Sequence, residues 1–257
     1  MPVQTAIRAA RRLAGGAALL VCTAQAVAGV TPEVSRVVFD EGAVEQSLQL
    51  FNVNAYPVLV QAWVDDGQVL ALPHDSKAPI VALPPIFRMD RGDQASLRLL
   101  HAGTPLPADR ESLFWLNLYE IPATQKRGAA DQTVTVTMRT QIKVFVRPAG
   151  LPYRETELTK RVTFALVPRP DGTTLSIGNP TPYYATFGAL QLTIDGTPRH
   201  EAVDMIAPFS QAAVDLGTRR VVAGERAKVV FSLLGDDGNP MVGERDIAAP
   251  PSHAPAR

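Results

Sequence analysis

The sequence predicts an all-β protein built from two β-sandwich domains, and three observations carry that reading. Beyond residue 28 no stretch keeps apolar side chains at i, i+3, i+4 and i+7 over three turns, so no long amphipathic helix is expected. Short runs alternate apolar and polar residues instead, the period of a half-buried strand. Proline is abundant, at 22 of 257 residues against a usual share of about 5%. A turn-rich β protein accommodates so much proline better than a helical bundle does, because proline removes a backbone donor.

The first 28 residues are expected to be a signal peptide. Arg8, Arg11 and Arg12 precede an apolar run from Leu13 to Val21, and small residues follow at Ala24, Ala26 and Ala28. That order is the charged, apolar and small-residue sequence of a secretory leader, with cleavage after Ala28. The apolar run is shorter than the roughly 20 residues of a permanent bilayer span, so no stable membrane insertion is expected. The only cysteine, Cys22, follows Val21 rather than the small residue a lipoprotein signal requires. Removing the leader takes three arginines and no acid, so balanced counts of 25 and 25 become 22 basic against 25 acidic residues. A near-neutral, slightly acidic chain lacks the electrostatic footprint of a nucleic-acid binder. Without cysteine, packing alone must hold the exported fold, and the length suffices for real cores.

Strands are expected at Leu48-Gln49-Leu50, Val134-Thr135-Val136-Thr137-Met138, Val162-Thr163-Phe164-Ala165-Leu166 and Leu190-Gln191-Leu192-Thr193-Ile194. Sandwiches take the alternate apolar side chains of such strands onto their inner faces. The stretch Arg147-Pro148-Ala149-Gly150-Leu151-Pro152 breaks the pattern and marks the domain boundary. This gives a first domain over 29–148, a linker over 149–157, a second domain over 158–247 and a disordered, proline- and alanine-rich tail over 248–257.

Catalytic and metal motifs are missing from the sequence. His74, His101, His200 and His253 stand far apart, and there is no HExxH pair, GxSxG elbow, phosphate loop or GxGxxG. The acid pairs Asp65-Asp66 and Asp236-Asp237 each precede a glycine, so turn formation accounts for them. No enzyme activity, cofactor or metal is expected.

Several strings are more specific than the periodicity. In order they are Val34-Ser35-Arg36-Val37-Val38-Phe39, Leu59-Val60-Gln61-Ala62-Trp63-Val64-Asp65-Asp66, Pro84-Pro85-Ile86-Phe87-Arg88 and Leu106-Pro107-Ala108-Asp109-Arg110-Glu111-Ser112-Leu113-Phe114-Trp115-Leu116-Asn117. Then follow Glu120-Ile121-Pro122, Ile142-Lys143-Val144-Phe145-Val146-Arg147-Pro148, Asn179-Pro180-Thr181-Pro182-Tyr183-Tyr184 and Ala207-Pro208-Phe209. As an ordered set covering the chain after the leader, they resemble the periplasmic pilus-assembly chaperones, the PapD-like family.

The resemblance implies two immunoglobulin-like sandwiches in a boomerang arrangement, located in the periplasm. It implies a non-enzymatic chaperone that lends a β-strand to pilus subunits, completes their fold, blocks premature polymerisation and passes them to an outer-membrane usher. Donor-strand complementation is a known form of β-strand addition. By the same resemblance, Val134, Val136 and Met138 are the alternating residues that enter the subunit groove. Periodicity alone favours the protein's own core for them. The resemblance makes Arg36 and Lys143 the basic pair that anchors the subunit's C-terminal carboxylate, through charge-assisted hydrogen bonds. It makes Glu111, Arg147 and Asp236 an interdomain salt-bridge network. Lys143 lies an odd number of residues from Met138, which on a regular strand sets the two on opposite faces, so a bulge or twist is invoked between them.

Departures from the family pattern leave these residues intact. The Pro122–Val134 segment is short and lacks cysteine, as in members serving rod-forming pili. The second domain lacks a cysteine pair, and Val146 stands where an aromatic is usual. Two other readings compete with the chaperone. A structural pilus subunit or adhesin domain should end in an alternating strand, whereas this sequence ends Pro-Ser-His-Ala-Pro-Ala-Arg. A secreted β-sandwich carbohydrate binder should cluster its aromatics, whereas Trp63 and Trp115 sit inside the chaperone-like strings.

Overall fold

The computed structural model describes residues 29–40, 42–68, 71–123 and 136–250. The expected signal peptide, Val134 and the last seven residues lie outside the described residues. The first domain contains β1 (Val30–Pro32), β2 (Arg36–Phe39), β3 (Glu45–Asn52), β4 (Val58–Asp65), β5 (Ile80–Leu83), β6 (Ile86–Met89), β7 (Gln94–His101), β8 (Ser112–Pro122) and β9 (Met138–Val146). They form a four-stranded sheet ordered β1-β3-β7-β5 and a five-stranded sheet ordered β2-β9-β8-β4-β6. Pairing is antiparallel except between β2 and β9, which run parallel.

Alternation places the core between these sheets. Leu48 and Leu50 of β3 and Leu97 and Leu99 of β7 meet Val60, Ala62, Leu116, Leu118, Ile142 and Val144 from the other sheet, all buried. At one end of the sandwich this face turns polar. Glu120 is buried on β8, where it accepts the Val30 N–H at 2.7 Å and an Asn54 side-chain N–H at 3.2 Å.

The second domain starts with a short helix, α1 (Leu158–Arg161), followed by β10 (Thr163–Arg169), β11 (Gly172–Asn179), β12 (Phe187–Ile194), β13 (Thr197–His200), β14 (Ser210–Asp215), β15 (Arg226–Leu234) and β16 (Pro240–Ala248). Its sheets are ordered β10-β11-β14 and β13-β12-β15-β16. Leu166, Leu175, Ile177, Leu192, Val229, Phe231 and Leu233 fill the space between them. Gly243 lies opposite Phe231, where a Cβ would come 2.5 Å from the ring, so the hydrogen side chain makes room for that ring to turn inward. Val162 closes the helix instead of opening a strand, and β10 begins one residue later.

The C-terminal boundary needs correction. Ala248 ends β16, and Ala249 is buried, donating its N–H to Glu225 and accepting that of Gly224. The packed domain therefore continues two residues past Ile247, held there by the backbone bonds of Ala249 and the burial of its side chain. Between the domains, the expected linker contains a single 3-10 turn over Glu155–Glu157.

Each domain is pinned by one buried asparagine at the end of its third or second strand. Asn52 donates to the carbonyls of Tyr56, Met89 and Asp90, while its oxygen accepts the Asn54 backbone and side-chain N–H groups. Asn179 repeats this arrangement, donating to Tyr183, Ile206 and Ala207 and accepting the Thr181 N–H and hydroxyl. Such residues satisfy carbonyls that a sandwich end would otherwise bury unpaired.

Candidate functional site

Arg36 opens β2, and the parallel register sets it directly beside Lys143 on β9. Arg36 is 7% exposed, donates one Nη1–H to the Leu234 carbonyl of the second domain at 2.9 Å, and lies 5.9 Å over the Phe145 ring. Its Nε–H is buried without a hydrogen-bond partner among the described residues. Lys143 is half-buried, with Nζ 5.5 Å from the Trp115 ring centroid. Burial lowers the Lys143 ammonium from its ordinary value and repulsion from Arg36 adds to this, with Asp204 pulling the other way. Burial likewise lowers Arg36, against the pull of Asp236, Glu155, Glu111 and Asp237. Among the described residues neither cation joins an ion pair. Two adjacent, partly desolvated cations are stabilised by an arriving anion, since it supplies the counter-charge that burial withholds.

β9 is longer than its neighbour β2. Residues Lys143–Val146 pair with β2 on one side, but Met138–Ile142 pair with β8 alone among the described residues. Their other edge extends about 17 Å beyond the start of β2 with no strand beside it among the described residues. The register with β8 is unbroken from Met138 to Val146, so no bulge reverses the side-chain alternation. Met138 shares the core-side face of Ile142, Val144 and Val146, while Arg139, Gln141, Lys143 and Phe145 share the outer face. Ile142 and Val144 are buried in the protein's own core. Met138 is 44% exposed and Val136, just ahead of the strand, 70% exposed.

Arg147, immediately after β9, directs all five guanidinium N–H donors at carboxylates. Nε and Nη2 reach Glu111 at 2.9 and 2.7 Å, Nη1 and Nη2 reach Asp236 at 2.9 Å each, and Nη1 reaches Asp40 at 3.3 Å. Asp236 belongs to the β15–β16 turn, so the bonds cross between domains. Glu111 crosses too, accepting the Tyr184 N–H at 2.7 Å and donating its own N–H to the Pro182 carbonyl. Burial by itself would lower Arg147, but Asp236 and Glu111 outweigh it and hold the guanidinium above its ordinary range. Burial pushes the Glu111 carboxyl upward, with Arg147 and the Tyr184 N–H opposing.

Residues 29–152 match the family described as "Pili and flagellar-assembly chaperone, PapD N-terminal domain", and residues 157–245 match "Pili assembly chaperone PapD, C-terminal domain". The chain belongs to the PapD family of pilus-assembly chaperones. It is 35% identical over 200 residues to the chaperone protein FimB/FhaD of Bordetella pertussis, covering 76% of this chain and 81% of that one. It is 31% identical over 224 residues to the probable fimbrial chaperone YadV of Escherichia coli, covering 86% and 91%. The crystal structure of YadV superposes with a TM-score of 0.71 at 29% identity, covering 84% of this chain and 98% of that one. The SafB chaperone of Salmonella enterica, solved in complex with the SafA pilin, shares the fold with a TM-score of 0.68 at 22% identity, over 85% and 96% of the two chains. The two-domain all-β fold is thus that of the PapD chaperones, and the family is non-enzymatic. Among the described residues no helix is long and apolar enough to cross a membrane.

In this PapD-family chaperone the structure brings Arg36 together with Lys143, and Glu111 together with Arg147 and Asp236. Met138 and Val136 lie at the open end of β9, and Val134 lies outside the described residues. Both acid pairs take part in turns, and in each pair one acid has a further partner. Asp237 does close its turn on Asn239, but Asp236 faces Arg147. Asp66 is exposed, whereas Asp65 is 0% exposed and is held by Arg139 at 3.1 Å, Asn117, the Trp63 indole and the Gly67 N–H. Arg139 also stacks 4.9 Å over Trp63. Sequence reading misses this cluster and Glu155, since nothing local couples residues so far apart in the chain.

Proposed function

We propose that this chaperone acts in the periplasm, after removal of the 28-residue leader, by lending the free edge of β9 to a pilus subunit. The observation that carries the reading is the geometry of that edge. Among the described residues no strand lies beside the Met138–Ile142 stretch on the side away from β8, and this lane runs straight into Arg36 and Lys143. A strand entering the lane parallel to β9 brings its C-terminal carboxylate to the cations. An antiparallel strand would bring its ammonium end there, so charge favours the parallel orientation.

Side chains add to the backbone contacts. Val136 and Met138, with Val134 upstream, continue the apolar face beyond the chaperone's own core and fill the subunit's groove. Each described side chain contributes roughly 1.5–3 kcal/mol when fully buried, before the cost of ordering the strand. Glu111, Arg147 and Asp236 hold the two domains at the angle that forms the cleft. A filled groove stops the subunit polymerising early, and the loaded chaperone delivers it to an outer-membrane usher.

The test is recovery of subunits with a C-terminally tagged chaperone from the periplasm of its native host, read by mass spectrometry. The unaltered protein brings down small secreted β-sandwich subunits. Arg36→Ala and Lys143→Ala, each confirmed as folded by circular dichroism, bring down few or none. Undiminished yields with both variants overturn the anchoring role.

A further inference from the structure

Behind the cation pair lies an acid that the anchoring role does not use. Glu155 stands in the 3-10 turn of the linker, and its Oε1 is buried without a hydrogen-bond partner among the described residues. The same atom lies 3.6 Å from where a Cβ on Gly235 would stand. Arg36 donates to the carbonyl of the preceding residue, Leu234. An orphan acceptor on Glu155 and the orphan Nε–H of Arg36 therefore flank consecutive residues of one turn. Each group also acts electrostatically on the other.

We propose that Glu155 is a positioning residue for Arg36: as a carboxylate it draws the guanidinium back toward the Leu234–Gly235 turn, and as a neutral acid it releases it to an anion in the cleft. The proposal rests on the reading of Arg36 as a carboxylate anchor. The groups that act most on Glu155 come from several elements, with Asp237 of the β15–β16 turn also close by. Asp236 on the β15–β16 turn and Glu111 ahead of β8 disfavour its ionisation, while Arg147 after β9 and Arg36 on β2 favour it. Burial is the largest influence, and together these push the carboxyl up to about 7. Below that value Glu155 keeps its proton and its pull on Arg36 is removed, leaving the weaker hold of the Leu234 carbonyl and the more distant acids. Above it the carboxylate competes, so anion binding in the cleft weakens as pH rises through 7.

The experiment follows the Arg36 Nε–H by nitrogen-15 NMR in the free, full-length mature protein between pH 5.5 and 8.5. The expected result is a shift with a midpoint near 7 that disappears in Glu155→Gln and persists in Glu157→Gln, the neighbouring acid held by Arg161. A flat Arg36 signal in the unaltered protein, or a titration that survives Glu155→Gln, overturns the proposal. Sodium acetate then serves as a carboxylate probe. Its affinity at Arg36 is expected to be about fivefold or more higher at pH 6 than at pH 8, a typical coupling between sites, and equal at both in Glu155→Gln. Acetate that never perturbs Arg36 overturns the anchoring reading, while the midpoint near 7 still supports the Glu155–Arg36 pairing.

Discussion

Replacing Arg147 with methionine isolates the interdomain network, because the side chain keeps its bulk and loses its charge. The three carboxylates it leaves behind differ in fate. Asp40 and Asp236 have side chains 57% and 41% exposed and regain water at little cost, since such surface pairs are worth about 0–1 kcal/mol each. The Glu111 side chain is only 3% exposed and cannot. A buried charge stripped of its partner costs about 3–5 kcal/mol, so Glu111 dominates the loss. Part of that cost is escaped by proton uptake, because burial already pushes the Glu111 carboxyl upward and Arg147 is the main influence opposing it, ahead of the Tyr184 N–H. The sign follows from linkage: a carboxyl raised in the folded state binds protons the unfolded chain has released, so the variant loses stability as pH rises above 4.5. Urea denaturation at pH 5 and pH 8, followed by fluorescence of Trp63 and Trp115 in the first domain and by circular dichroism for the whole chain, measures the loss. A difference of about 3 kcal/mol or more at pH 8, smaller at pH 5 and largely restored by adding Glu111→Gln, is expected. A loss below about 1 kcal/mol at pH 8 would refute the argument that Glu111 depends on Arg147 for its charge.

The remaining expectations concern the pins, the core and the cleft. Asn179→Ala strands three carbonyls and should destabilise the second domain by about 3 kcal/mol, read as a lower urea midpoint; an unchanged midpoint would show that water replaces the side chain. Gly243→Ala drives a methyl into the Phe231 ring and should cost about 1–3 kcal/mol by overpacking, against little change for the exposed Val242→Ala on the same strand. Lys143→Met removes a half-buried ammonium that Arg36 repels and should leave the free protein as stable or up to about 1 kcal/mol more so, while subunit recovery falls. Because the folded Lys143 value is lowered, the unaltered protein should also gain stability as pH rises toward 10.5. Val136→Asp should impair subunit capture more than Thr137→Asp does, and equal effects would place the wrong face in the groove.

Alternation and turn residues were enough to read two sandwiches, because each strand's inward face is encoded within the strand itself. Leu48 and Leu50, or Leu190 and Leu192, announce their burial by spacing alone. The cleft was legible only through whole strings, since nothing local says that Arg36 will lie beside Lys143 more than a hundred positions later. The parity conflict between Met138 and Lys143 also dissolves without a bulge. The core-side face of β9 is covered at Ile142 and Val144 but lies bare at Met138, past the polar end built by Glu120 and Asn54. One face thus serves two surroundings, a distinction that periodicity cannot make. Asn52 and Asn179 did leave a signal, Asn-x-Asn-x-Tyr in one domain and Asn-x-Thr-x-Tyr in the other, but its meaning depends on carbonyls contributed from distant segments. Asp65 and Arg139 left none.

The shortness of β2 acts as a gauge. Because it occupies the lane beside β9 only from Lys143 onward, any strand sharing that lane has to stop where Arg36 begins. Where its last residue halts fixes which of its side chains face Met138 and which face Arg139. Side chains alternate with every residue, so one residue added to or cut from the guest's C-terminus turns its whole apolar row to the outside. On the proposed donor-strand reading, length at one end of the guest is thereby converted into sidedness along all of it.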